Sequence, residues 1–261
     1  MDQFSLEGQV AIVTGASRGI GRAIALAFAE VGADLAVVAR TQDALEETAA
    51  EIRSLGREVL AIGADVAELA SVRAAVARTI ETFGTVDILV NNAGAAPFRA
   101  SVVDTTIDGF EKYLRVNFLS ALYGLQAVGP ILLEKGSGCV LNMASIAGFS
   151  GAPGLSYYGA AKAALINLTK TTAIEWAPAG VRVNALAPGW IETDMNARLR
   201  EDADARERML SAIPMDRLGS VDEVSGAAVF LCSGAASYIT GAVLVVDGGQ
   251  HARGAGSPWV S

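Results

Sequence analysis

The sequence predicts a doubly wound α/β fold, one Rossmann-like parallel sheet of about seven strands with helices on both faces, on three observations. Short β-branched or apolar runs alternate with longer stretches of helical period. A glycine-rich turn joins the first run to the first helix. No Pro/Ser-rich linker, charge block or internal repeat interrupts residues 1–261, so a single domain is expected.

The strand-like runs fall at 10–14, 34–39, 59–63, 88–91, 138–143, 182–187 and 243–246. Segments of helical period lie among them at 20–31, 42–55, 67–83, 112–134, 157–177 and 221–232, several opened by Asp, Ser or Thr and closed by Gly. Parallel neighbours need crossover connections, and right-handed βαβ units put those helices on both faces of the sheet. The rhythm breaks at 188–218, a long connection whose middle, 195–211, reads as a charged amphipathic helix. A long insert after the carboxyl end of a strand in an open sheet lies where ligands bind, which makes 188–218 a candidate lid.

Composition excludes several function classes. Twenty basic against 28 acidic residues leave a net charge of −8, which repels phosphate backbones and anionic membranes, so neither nucleic acid nor a membrane is an expected partner. No basic n-region with an apolar stretch opens the chain, and no apolar run reads as long and uninterrupted enough to cross a bilayer; a cytoplasmic protein is expected. Cys139 and Cys232 are far apart and show neither a disulfide framework nor metal-ligand spacing. The single histidine, His251, reads as a solvated tail residue. A Ser-His-Asp hydrolase or a His-ligated metal centre would need that residue to reach the site from the C-terminus, and Ser145 has no GxSxG elbow, so both classes are set aside.

The first strand runs straight into Thr14-Gly15-Ala16-Ser17-Arg18-Gly19-Ile20-Gly21 and then a helix. Small residues let backbone approach a pyrophosphate, and a helix N-terminus receives its charge. The spacing is GxxxGxG, not the GxGxxG of the common dinucleotide fingerprint. At the end of the second strand, where a carboxylate would bind ribose hydroxyls and repel a 2′-phosphate, the chain reads Val37-Val38-Ala39-Arg40-Thr41. Arg40 and Arg18 offer charge-assisted contacts to a phosphate instead, so NADP(H) is expected in preference to NAD(H).

Tyr158 and Lys162 are four residues apart in a segment of helical period and share one face. An ammonium beside a phenol favours the phenolate, which is expected to lower the Tyr158 pKa and fit it for proton exchange with a substrate oxygen. Tyr157 lacks such a partner, because Ala161 occupies the corresponding position. Ser145 follows the strand at 138–143, at the carboxyl edge of the sheet, where its hydroxyl can bond the same substrate oxygen.

Over residues 9–249 the chain resembles the classical short-chain dehydrogenases/reductases. Thr14 to Gly21 matches that family's TGxxxGxG turn, Asp65-Val66 its adenine contact, Asn91-Asn92-Ala93-Gly94 its NNAG segment and Asn117 its helix asparagine. Ser145, Tyr158 and Lys162 match the catalytic serine, tyrosine and lysine; Pro188-Gly189 and Thr193 match the PG motif and the hydroxyl that holds the nicotinamide carboxamide, with Ile191 between them. The resemblance implies that Tyr158 is the general acid/base, that Ser145 orients and polarises the substrate oxygen, and that Lys162 lowers the tyrosine pKa and binds the nicotinamide ribose. It implies that Asn117 holds a water linking Lys162 to solvent. A small-molecule carbonyl or alcohol, reduced with no metal ion, is the implied substrate, and a homotetramer or homodimer the implied assembly.

Loops 95–101, 146–156 and 190–218 are then the pocket walls, and Pro97, Phe98, Phe149, Leu155, Trp190, Ile191 and Met195 give them an apolar face. The overall look is similar to 3-oxoacyl-(acyl carrier protein) reductases. An NAD-dependent alcohol or sugar dehydrogenase working oxidatively, and a catalytically silent cofactor-binding module, are the alternatives. The tail at 250–261, with Pro258 and Trp259, departs from a simple family terminus.

Overall fold

A computed structural model of the protein describes residues 2–96, 99–197 and 201–253. Pro97, Phe98, Pro258 and Trp259 lie outside these described residues. Seven strands form one sheet: β1 (Val10–Thr14), β2 (Asp34–Ala39), β3 (Val59–Gly63), β4 (Ile88–Asn91), β5 (Gly138–Met143), β6 (Val181–Pro188) and β7 (Val243–Val246). All neighbours pair parallel, in the order β3-β2-β1-β4-β5-β6-β7. The order reverses between β1 and β4, which opens a crevice at their carboxyl ends.

Alternation along each strand explains the two packed layers. Ala11, Val13, Leu35, Val37, Ile88, Val90 and Leu141 face one way, onto α1 (Gly19–Glu30), α2 (Gln42–Ser54) and the helix at Val221–Cys232. Ile12, Ala36, Val38, Leu89 and Val140 face the other, onto α3 (Leu69–Phe83) and α5 (Ser120–Lys135). Successive side chains of a strand point to opposite faces, so a sheet buried on both sides reads as a continuous apolar run.

The helix expected at 112–134 starts earlier and is not uniform. α4 (Ile107–Leu114) opens with Thr106, whose hydroxyl accepts from Gly109 N; a π-helical turn, Arg115–Leu119, then carries the chain into α5. Such wide turns interrupt the usual hydrogen-bond ladder and recur at functional sites. Contrary to the sequence expectation, the whole stretch Ile107–Lys135 is long and apolar enough, by composition alone, to cross a bilayer. Its apolar residues Leu125, Val128 and Leu132 are instead buried against the sheet.

α6 (Ser156–Trp176) follows β5 through a 3-10 turn at Ile146–Gly148. After β6 the long connection holds a 3-10 turn at Asp194–Asn196, then α7 (Ala203–Ser211), before α8 (Val221–Cys232). The charged helix expected over 195–211 is therefore shorter: the Asp202 carboxylate accepts from Ala205 N and starts α7 there. The two cysteines, distant in sequence, come close: both thiols are buried, and Cys139 Sγ donates to the carbonyl of Leu231, the residue before Cys232, at 3.5 Å.

Candidate active site

The crevice begins where β1 turns into α1. Gly15 and Gly19 adopt φ of +68° and +55°, the left-handed region. A Cβ on Gly21 would lie 2.3 Å from Gly15 O, so only glycine lets this turn close. α1 starts at Gly19 with no acidic side chain in its first turn and no side-chain cap from Arg18. Its leading N–H groups and positive dipole end therefore suit a pyrophosphate, which is the fit that a dinucleotide requires.

The turn is clamped to β4 by a residue to which the sequence reading gave no role. Asn92 Nδ2 donates to Thr14 O at 2.9 Å, and Thr14 Oγ1 accepts from Asn92 N at 3.0 Å and from Ala93 N at 3.1 Å. Asn91, by contrast, is buried, and its side-chain amide donates to Asn142 Oδ1 at 2.9 Å; that side chain ties β4 to β5 inside the fold. Arg18 and Arg40 are both exposed, and neither takes part in an ion pair among the described residues. Asp65 Oδ1 accepts from Ala67 N at 3.0 Å and shapes the turn that precedes α3, with Val66 buried beside it. Across the crevice, a Cβ on Gly19 would meet Thr193 Cγ2 at 3.6 Å, so the β6 loop faces the phosphate turn.

At the carboxyl end of β5, Ser145 caps the 3-10 turn by accepting from Ala147 N at 3.2 Å. Gly148 in that turn touches α6 so closely that a Cβ would stand 2.9 Å from the carbonyl carbon of Lys162. This contact holds Ser145 against the first turns of α6, where its hydroxyl neighbours Tyr158. Tyr157 faces the other way, fully buried with its ring centroid 5.1 Å from that of Tyr113. The two adjacent tyrosines thus divide into a core residue and a cleft residue.

Lys162 is buried, and its Nζ donates to Met143 O at 2.7 Å and lies 5.6 Å from the centre of the Tyr158 ring. Burial lowers its pKa to about 8. The expected lowering of the Tyr158 pKa does not occur in this chain. Burial raises it, the Ser145 hydrogen bond pulls it partly back, and the neighbouring Tyr157 adds to the rise. The reason is that low-dielectric surroundings penalise phenolate and ammonium alike, and Lys162 spends its bond on a backbone carbonyl.

Asn117 lies in the π turn, buried, donating to Ala95 O at 2.9 Å and Tyr113 O at 3.0 Å and accepting from Ala95 N at 3.0 Å. Its side chain therefore holds the β4 loop down. Gly94 makes this approach possible, since a Cβ there would lie 2.9 Å from Asn117 Oδ1 and 3.6 Å from Lys162 Nζ. Pro188 ends β6, Gly189 N donates to Val246 O at 3.0 Å, and Ile191 is buried where Glu192 N and Gly219 O, 2.9 Å apart, pin both ends of the candidate lid. His251 is exposed, as expected of a tail residue, yet it is not free: its ring stacks on Phe149 at 4.6 Å, four residues from Ser145.

Comparison with known proteins agrees with this geometry. Residues 15–251 match a family model described as enoyl-(acyl carrier protein) reductase. The chain is 40% identical over 247 residues to 2-(R)-hydroxypropyl-CoM dehydrogenase of Xanthobacter autotrophicus, covering 94% of this chain and 99% of that one. The chain is a classical short-chain dehydrogenase/reductase. It is also 38% identical over 248 residues to L-rhamnose 1-dehydrogenase (NAD(P)(+)) of a Sphingomonas species, covering 94% and 97% of the two chains. A gluconate 5-dehydrogenase from Burkholderia cenocepacia, solved with NADP and tartrate, superposes with a TM-score of 0.92 at 37% identity, covering 96% of this chain and 98% of that one. The likeness to 3-oxoacyl-(acyl carrier protein) reductases is a loose one beside these. As a member of this family the protein is a hydride-transfer oxidoreductase that uses a nicotinamide cofactor on a secondary alcohol or carbonyl.

The buried lysine sets a pH signature. Between pH 8 and 10.5 the unfolded chain keeps the Lys162 proton while the folded chain releases it, so stability rises with pH across that window. Tyr158 works in the opposite sense only above its ordinary value of 10, where the unfolded phenol ionises first. Urea titrations at pH 8 and pH 9.5 should show a larger gain for wild type than for Lys162→Met; equal gains would contradict the buried-ammonium assignment.

Proposed function

We propose that the protein is an NADP(H)-dependent ketoreductase in which Tyr158 protonates the substrate oxygen. The observation that carries this reading is the gathering of Ser145, Tyr158 and Lys162 at the carboxyl edge of the sheet, with Lys162 Nζ 5.6 Å from the centre of the Tyr158 ring. A carbonyl oxygen entering between the two hydroxyls would accept from both. Ser145 polarises it and Tyr158 donates the proton, while the reduced nicotinamide, when bound, supplies the hydride. At neutral pH the phenol carries its proton, which is the form that donation to a developing alkoxide requires.

The cofactor set is Gly15, Ser17, Arg18, Gly19, Ile20 and Gly21 at the phosphate turn, Arg40 at the adenosine end, Asp65 and Val66 around the adenine, and Asn91, Ala93 and Gly94 along the β4 edge. Lys162 and Tyr158 serve the nicotinamide ribose, with Pro188, Gly189, Ile191 and Thr193 beside the nicotinamide. Asn117 acts from behind by holding the β4 loop against Lys162. Arg18 and Arg40, exposed and in no ion pair among the described residues, support NADP(H) over NAD(H), since a 2′-phosphate would give both a charge-assisted partner. The chain acts as one domain with 188–218 as the lid. Reduced, buried Cys139 and Cys232 suit a cytoplasmic setting. Exposed apolar side chains at Val102, Val103, Ile107 and Ile174, together with the edge strand β7, favour assembly into a homotetramer or homodimer.

Tyr158→Phe is expected to lower kcat by about a hundredfold or more while NADPH binding, followed by nicotinamide fluorescence, stays nearly intact; near-wild-type turnover would refute the role. KM for NADP+ should fall well below that for NAD+, and the reverse order would remove the case for Arg18 and Arg40. Sedimentation at micromolar concentration should give a dimer or tetramer, whereas a monomer would contradict the assembly.

A further inference from the structure

Residues 247–253, beyond the last strand, touch the Ser145 loop, the β6 loop and the lid. Asp247 folds the segment back on itself, its carboxylate accepting from Gly249 N at 2.9 Å and His251 N at 2.6 Å. Met215 N donates to Gly248 O at 3.2 Å and the Arg253 guanidinium donates to Ser211 O, which fastens the segment to the lid. His251 reaches the Ser145 loop by stacking on Phe149, with 25° between the rings.

Gln250 lies between these anchors. A Cβ on Gly189, in the β6 loop, would come within 3.3 Å of Gln250 Oε1. That oxygen is shut off from solvent and has no hydrogen-bond partner, alone in this among the buried side-chain nitrogens and oxygens of the described residues. A buried acceptor without a donor weakens the fold, so a wall built only for packing would favour an aliphatic side chain at this position. The terminal torsion of a glutamine is soft, and its oxygen borders Gly189 of the loop that follows β6.

We propose that Gln250 is a specificity-determining residue, its carboxamide receiving a hydroxyl that the substrate carries away from the reacting carbon. The substrate class is then a hydroxylated carbonyl or polyol and not a plain hydrocarbon ketone. This rests on the reduction chemistry assigned to Tyr158 and Ser145. A site built to bond a hydroxyl discriminates against the analogue that lacks it, because the buried acceptor is left unpaired.

The test compares kcat/KM for 2-, 3- and 4-hydroxycyclohexanone with that for cyclohexanone in wild type, Gln250→Leu and Gln250→Asn, each checked for folding by circular dichroism. Taking the ratio to cyclohexanone within each protein cancels any general loss of activity. Wild type should favour at least one hydroxylated ketone, and Gln250→Leu should collapse that ratio by about tenfold, the scale of one hydrogen bond. Gln250→Asn, which withdraws the amide by one methylene, should reduce the ratio in the same direction and serves if the leucine variant does not fold. Ratios that match wild type in a folded variant overturn the role of Gln250. No turnover by wild type of any of these ketones or of a broad carbonyl panel overturns the underlying reading instead.

Discussion

The Ser145 turn meets α6 through Gly148, whose missing side chain lets two stretches of backbone come within contact of each other. Gly159 repeats the device one turn of helix away, where a Cβ would stand 3.0 Å from Ala147 O. This seam between β5 and α6 places Ser145 beside Tyr158, and the last carbonyl of β5, that of Met143, takes the Lys162 ammonium. Three reacting or supporting groups are therefore located relative to one strand end. Any side chain at Gly148 would have to push the serine and the tyrosine apart.

A second set of contacts makes the opposite wall. Thr14 and Asn92 lock the phosphate turn onto the end of β4, and Asn117, from the π turn, holds the loop that follows. The widened helical turn matters because it breaks the regular ladder between α4 and α5 where Asn117 must bind the β4 loop. Buried polar groups of this kind are costly unless satisfied, and Asn91, Asn117 and Asn142 all find partners. Rigidity on both sides leaves the long connection after β6 and the segment after β7 as the parts that differ most freely from one substrate to another.

Burial gives the site its electrostatic character. It holds Tyr158 above an ordinary phenol and brings Lys162 to about 8, so the chain's own contribution is a reluctant phenol over an easily discharged amine. The sequence argument expected the phenol to be lowered instead, because four-residue spacing on a helix shows that two side chains share a face but not where the ammonium finds its hydrogen bond. In the folded protein it turns away to a backbone carbonyl.

Six of the seven strands occur with the bounds expected from the sequence, and the glycine-rich turn stands at the first βα junction, as its spacing required. These features are local: side chains of a strand buried on both faces are apolar throughout, and a turn that needs left-handed backbone needs glycine. The residue types of the catalytic set were legible for the same reason. Long-range placement was not. That Asn92 clamps while Asn91 is used inside the sheet, that Tyr157 packs on Tyr113, that Cys139 meets Cys232, and that His251 returns to Phe149 all depend on which elements the fold sets side by side. The sequence by itself determined the order of strands and helices and the chemistry at the sheet's edge. The tertiary structure decided which neighbouring side chain faces the cleft, because register, helix rotation and the path of the tail are set by packing across distances that no local pattern records.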